Sequence, residues 1–193
     1  MEYRNLTKPP WRQDTGHLSQ KEAFAWFDGL EPAGTEHLRG RWRGRGLFSG
    51  HPLDGLLEAL NWYGKEFIDD ETVHPLLFSR RSGRLLRLNP GLLPLSLPFG
   101  AIPRAPAGAL FRLFSPLLGT RHAKARLRFI QYRGKLGAAM VYDRQPIIDH
   151  FRRIDGDTLL GVMDIKGESG PRYFFVLERE TKEIKVGKPD QVH

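Results

Sequence analysis

Cysteine is absent from this chain, which excludes a disulfide framework and any thiolate metal site. Long apolar runs are missing as well. No stretch approaches the roughly 18 uninterrupted apolar residues that a membrane-crossing helix needs, and Met1-Glu2-Tyr3-Arg4-Asn5-Leu6-Thr7-Lys8 forms no apolar signal core. The expectation is a cytoplasmic protein, with peripheral contact to a membrane as an addition to it. Acids are missing from one long segment: between Thr72 and Tyr142 there is no Asp or Glu, whereas Arg80, Arg81, Arg84, Arg87, Arg104, Arg112, Arg121, Lys124, Arg126, Arg128, Arg133 and Lys135 fall inside it. The formal charge of +8 and the pI near 10.0 therefore belong to that segment, and the rest of the chain is net negative.

Common catalytic signatures are lacking too. No Gly-x-x-x-x-Gly-Lys-Ser/Thr loop exists, Gly44-Arg45-Gly46-Leu47-Phe48-Ser49 has serine where a dinucleotide fingerprint needs its third glycine, and Gly46-Leu47-Phe48-Ser49-Gly50 is one residue out of step for a nucleophile elbow. None of the seven histidines forms a His-Glu-x-x-His pair, so no metal site is expected.

What is present begins with Gly40-Arg41-Trp42-Arg43-Gly44-Arg45-Gly46. Glycines alternating with one large aromatic suit a strand that curves sharply, its indole closing the end of a small barrel and stacking on a late-strand arginine such as Arg172 or Arg179. Before it, Ser19 and Glu22 have capping-box spacing and Ala23, Trp26, Phe27 and Leu30 share a helical face, with Gly29 or Gly34 as the stop. The residues up to Gly16 read as an arm that orders on contact. After the Gly-Trp run, Pro52 with Leu53, Leu56, Leu57 and Leu60 predicts a second helix ending at Gly64. Between Leu85 and Leu118, Pro90, Pro94, Pro98, Pro103, Pro106 and Pro116 exclude a long regular helix. From Ala123 onward the period switches to strands, with turns at Arg133-Gly134-Lys135 and Asp155-Gly156-Asp157 and a last strand at Tyr173–Glu178. Roughly six strands are legible in all.

Two blocks carry a resemblance. Gly40-Arg41-Trp42-Arg43-Gly44 followed by Gly50-His51-Pro52-Leu53-Asp54 resembles the GXWXG-domain family. Tyr142-Asp143, Pro146-Ile147, Asp149-His150-Phe151-Arg152 and Met163-Asp164-Ile165-Lys166-Gly167 resemble the C-terminal domain of unknown function that accompanies it. The Gly-x-Trp strand with a later antiparallel meander is more loosely similar to the calycin superfamily of lipocalins, fatty-acid-binding proteins and nitrobindins, barrels that hold apolar ligands or haem. The resemblance implies a mainly β chain with helices, an α+β fold: a calycin-like antiparallel β-barrel or half-barrel with a helical, Pro-rich insertion after the first strand. The expected organisation is a single domain over 1–193, with a GXWXG-like segment at 36–95 and a C-terminal meander at 121–180.

The functional expectation is a non-catalytic binding protein for an amphipathic anionic ligand, a phospholipid or a fatty acid, held in a barrel-type cavity. Trp42 and Phe48 are expected as apolar wall, Leu53, Leu57 and Trp62 as lid or plug, and Arg126, Arg128 or Arg152 as the head-group contact. Arginines interleaved with Leu and Phe also point to an anionic membrane surface. Nucleic acid is disfavoured, because no RNA-binding signature or aromatic-bearing basic strand is present. No cofactor is required. The alternative is an enzyme or haem protein that uses His150 in the same cavity as base or axial ligand, with Asp143, Asp149 or Asp164 as its partner. Adjacent strand residues face opposite ways, which argues against Asp149 orienting its own neighbour. The oligomeric state is not encoded in any pattern here.

Overall fold

A computed structural model of the chain describes residues 17–93 and 104–180. The expected arm up to Gly16 and the prolines at 94, 98 and 103 lie outside the described residues. Ser19 and Glu22 form the capping box, the serine hydroxyl accepting from the Glu22 backbone N–H at 3.3 Å and Glu22 Oε2 accepting from Ser19 N at 2.9 Å. They open α1 (Gln20–Gly29), which buries Ala23, Trp26 and Phe27. In chain order there follow β1 (Glu31–Pro32), α2 (Thr35–Leu38), β2 (Gly40–Leu47), α3 (Leu56–Ala59), β3 (Trp62–Phe67), β4 (Val73–Ser79), β5 (Leu85–Arg87) and α4 (Arg104–Phe114). The chain then runs through β6 (Ala125–Tyr132), β7 (Lys135–Tyr142), β8 (Ile147–Arg153), β9 (Thr158–Ile165) and β10 (Tyr173–Arg179).

The pairing order closes on itself. Running β2-β3-β4-β6-β7-β8-β9-β10 and back to β2, eight strands each find two antiparallel neighbours, while β1 adds to β8 and β5 to β4. Closure removes the exposed sheet edges that would otherwise invite aggregation. One seam is thin: β4 meets β6 at the single pair Val73↔Ala125, supported by Lys124 N donating to Val73 O at 3.1 Å and Leu127 N to Asp70 O at 2.7 Å.

Period-two alternation sorts residues to the two faces of this ring. Tyr173, Phe175 and Leu177 of β10 join Trp42, Trp62, Phe67, Met140, Tyr142 and Phe151 in the interior cluster. Phe174 and Val176 face outward with Leu160 and Val162, where Ala23, Trp26 and Phe27 of α1 cover them. On that outer layer Phe24 and Phe27 meet the edge of Phe174. The turn at Arg133 and Gly134 has positive φ at both residues, 48° and 78°, as a two-residue hairpin with right-handed strand twist requires.

The ring differs from the sequence expectation in four ways. Eight strands close where about six were legible, because β3 and β4 carry a mid-strand glycine and proline, Gly64 and Pro75, that obscure alternation. The helix expected at Pro52 shrinks to α3, since Gly55 in the left-handed region (φ 73°) delays its start and Asn61 (φ 61°) ends it. The Pro-rich insertion follows β5, not the first strand of the ring. It also contains an 11-residue helix, α4, because Pro106 falls in the first turn where its missing N–H costs little.

Candidate ligand site inside the ring

Trp42 is fully buried. Its indole N–H donates to Leu38 O at 2.7 Å, and the Arg179 guanidinium lies 4.1 Å from the ring centroid. That guanidinium is itself fixed, donating to Arg39 O at 2.6 Å, His37 O at 2.8 Å and Asp157 Oδ1 at 2.8 Å. Of the two arginines expected over the indole, Arg179 takes the place; Arg172 instead pairs with Asp164 and Glu168.

The glycines that follow Trp42 make room. A Cβ on Gly44 would stand 2.4 Å from the Trp62 ring, and one on Gly46 would stand 2.5 Å from the Tyr173 hydroxyl. The Trp62 ring from β3 and the Tyr173 hydroxyl from β10 thus occupy the space beside the bare stretch of β2.

Gly64 has the larger effect. Its φ is +144°, and a Cβ there would meet the Trp42 carbonyl oxygen at 2.0 Å, so glycine alone fits. The register of β3 against β4 shifts on either side of it, a β-bulge. In a regular strand residues three apart face opposite ways, but across this bulge Trp62 and Lys65 are both buried in the interior while Glu66 turns outward to Arg41 and Arg87 at 2.8 Å each. The bulge delivers an amine among buried aromatic side chains.

There Lys65 Nζ meets Asp149 Oδ2 at 2.8 Å, with side chains 3% and 1% exposed. The amine also donates to Pro75 O at 3.2 Å and to the Tyr142 hydroxyl at 3.4 Å, and that hydroxyl donates to Asp149 Oδ2 at 3.5 Å. Three rings surround the ammonium, Phe175 at 4.9 Å, Trp62 at 5.7 Å and Tyr142 at 5.8 Å, each offering a negative face to a desolvated cation. Burial pushes the Asp149 carboxyl above its usual range against the pull of Lys65, and pushes the Tyr142 and Tyr173 phenols well up. Asp149 Oδ1, Trp62 Nε1 and the Tyr173 hydroxyl are buried without a protein partner. Native interiors rarely leave such atoms unpaired.

The expected site residues divide. Trp42 and Trp62 are in the interior cluster, with Leu53 and Leu57 packed against it. Phe48 is 41% exposed beside His17. Arg126 and Arg128 are on the outer surface, paired with Asp143 at 3.9 Å and Glu71 at 2.7 Å. His150 and Arg152 are buried on the α1 side of β8: the imidazole stacks on Tyr132 at 3.8 Å, and the guanidinium lies 4.6 Å from the Phe27 ring and donates to Tyr132 O. Burial lowers the His150 pKa to about 4. Asp149 faces inward, so it and His150 are on opposite sides of the strand and form no acid–base pair. Lys65, Tyr142 and Tyr173 were not anticipated, and the inward cation is a lysine where arginines were expected. No group of three His, Cys, Asp or Glu among the described residues is placed to hold a metal ion.

Family models match both halves of the chain: a GXWXG protein model over residues 25–83 and a domain of unknown function, DUF4334, over 123–179. A crystal structure of a protein from Thermomonospora curvata is similar at 34% identity with a TM-score of 0.64, covering 86% of this chain and 91% of that one. The chain belongs to the GXWXG family. No curated protein matches it. In this GXWXG protein the two matched segments interlock, since β2 of the first hydrogen-bonds β10 of the second. None of its described helices is long and apolar enough to cross a membrane.

Proposed function

We propose that this GXWXG protein is a non-catalytic binding protein whose ring acts as a small calycin-like barrel around an amphipathic ligand. The observation that carries the reading is the buried Lys65–Asp149–Tyr142 cluster, set among aromatic walls with unpartnered Asp149 Oδ1, Trp62 Nε1 and Tyr173 hydroxyl. Each unpartnered buried polar atom costs about 1–3 kcal/mol, a penalty that a ligand bearing oxygen at one end relieves. The walls supply the apolar counterpart for the ligand's other end.

Of the two ligand classes expected, a fatty acid suits the site better than a phospholipid. Lys65 is already neutralised by Asp149, so a permanently charged phosphodiester would bring an unbalanced anion into a dry interior. A carboxylic acid can share one proton with Asp149, because two carboxyls in one site do not both ionise. Binding then takes up a proton, and affinity rises as pH falls toward the ligand's own pKa. His150 has no part in this reading, since it faces α1.

Native mass spectrometry of freshly purified protein tests it, followed by titration with a fatty acid while following Trp fluorescence. The expected result is an added mass of lipid size, lost when Lys65→Met and Asp149→Leu are combined. Repeated recovery of bare protein whose fluorescence ignores the fatty acid would sink the proposal.

A further inference from the structure

Ten of the twelve bases of the acid-free segment fall into two sets. On the sheet side they are matched: Arg87 with Glu66, Arg126 with Asp143, Arg128 with Glu71, Arg133 with Asp28 and Lys135 with Glu31. Arg80, Arg81, Arg84, Arg112 and Arg121 are exposed and have no acidic partner among the described residues.

The unmatched set is gathered in one place. Phe111 of α4 packs on Phe78 of β4 at 4.7 Å between ring centroids. The segment after α4 runs beside β5, where Leu88 bridges Gly119 and Thr120 N donates to Arg87 O at 2.9 Å. Arg84 of the β4–β5 hairpin and Arg121 consequently line a single groove of about 530 Å³ with Leu85, Leu86 and Thr120. Glu66, in the same groove, is taken up by Arg41 and Arg87, so the groove is net positive. Just before Arg121 come three exposed large apolar residues, Leu113 at 70%, Phe114 at 49% and Leu117 at 78%. Phe129 and Leu136, at the β6–β7 hairpin, are similarly exposed, but the bases around them are matched.

We infer that the outer side of α4, its following turn and the β4–β5 hairpin form a docking face for an anionic lipid bilayer. Leu113, Phe114 and Leu117 enter the acyl boundary, and Arg84, Arg112 and Arg121, with Arg80 and Arg81 on the hairpin, meet the phosphate layer. Apolar residues beside unmatched arginines distinguish this partner from a nucleic acid, to which exposed leucines offer nothing. The inference goes beyond the enclosed site and uses none of its residues.

Co-sedimentation with large unilamellar vesicles decides it, using phosphatidylcholine alone and phosphatidylcholine mixed with phosphatidylglycerol. The protein should sediment with the mixed vesicles and not the neutral ones, and added salt should release it. At about fivefold per arginine near the surface, Arg84→Gln with Arg121→Gln should weaken partitioning about 25-fold. Leu113→Ser with Leu117→Ser should weaken it about tenfold or more. Arg126→Gln with Arg128→Gln, a control on the matched set, should leave it within about twofold. All of these positions are on the surface, and circular dichroism verifies the fold of each variant. Equal binding to both vesicle types, no binding to either, retained binding by the Arg84/Arg121 variant, or stronger binding to duplex DNA than to mixed vesicles at one ionic strength would overturn the inference. Fatty-acid retention by the Lys65 variant is read separately, so either result can fail without the other.

Discussion

The two aromatic–cation arrangements inside the ring are built for different ends. At Trp42 the cation is Arg179, three of whose nitrogens are tied to backbone or carboxylate oxygens, and the indole N–H is tied as well. At Lys65 the ammonium is buried among three rings against one carboxylate, and polar atoms nearby remain without protein partners. The first arrangement is saturated and stabilises the fold by itself. The second holds a charge pair in a low-dielectric interior, where the desolvation penalty offsets most of the attraction. In the proposed function the pair is kept for the ligand that it meets.

The comparison breaks most readily at Trp42. Trp42→Ala should cost about 5 kcal/mol in urea unfolding, because it opens a cavity and strands the Arg179 guanidinium; a loss below about 2 kcal/mol would mean that the indole is not the anchor described. Lys65→Met alone should cost about 3–4 kcal/mol, since it leaves Asp149 buried and unpaired. Adding Asp149→Leu should restore native stability or exceed it by about 1–4 kcal/mol while ligand retention is lost. If the double variant remains as unstable as Lys65→Met, the pair is structural and the contrast between the two arrangements fails. Gly44→Ala should cost about 1–3 kcal/mol by driving the Trp62 ring off β2, seen as a shift in tryptophan emission.

An effect of the same size as that at Gly44 is set by pH at His150, outside the ring. Above pH 6.5 the imidazole is neutral in both folded and unfolded chains and does not alter stability. As pH falls toward about 4, the unfolded chain takes up a proton that the buried ring refuses, so stability declines across that window and levels off below it. The decline should amount to about 1–3 kcal/mol, and His150→Phe should remove it; identical pH profiles for the two proteins would show that burial does not hold the ring neutral.

Much of the outer architecture was legible. Alternation and tight turns marked the meander from β6 to β10, Ser19 and Glu22 marked the start of α1, and the Gly-Trp run marked a curved strand with an arginine over its indole. The site itself was hidden by one backbone feature. Alternation assigns a residue to a face by counting, and the bulge at Gly64 resets the count, so Lys65 reads as a residue beyond a helix terminator. Likewise, alternation separates Asp149 from His150, yet which of the two looks inward depends on α1 covering the other face of β8, a contact made from far along the chain. The arginines were abundant enough in the sequence to suggest the head-group role, while the inward cation is a single lysine outside the acid-free segment.

The pairing of β2 with β10 also has a consequence for the order of assembly. Trp42 faces Arg179 and Leu47 faces Phe174, so the strand made among the first must wait on the ribosome for the strand made last before the ring can close. During synthesis the edges of β2 and β10 stay open, and the glycines of β2 offer little side-chain bulk to shield its backbone from other chains. Such long-range closure is slow, and it makes the emerging chain a natural client for chaperones until residue 179 has cleared the exit tunnel.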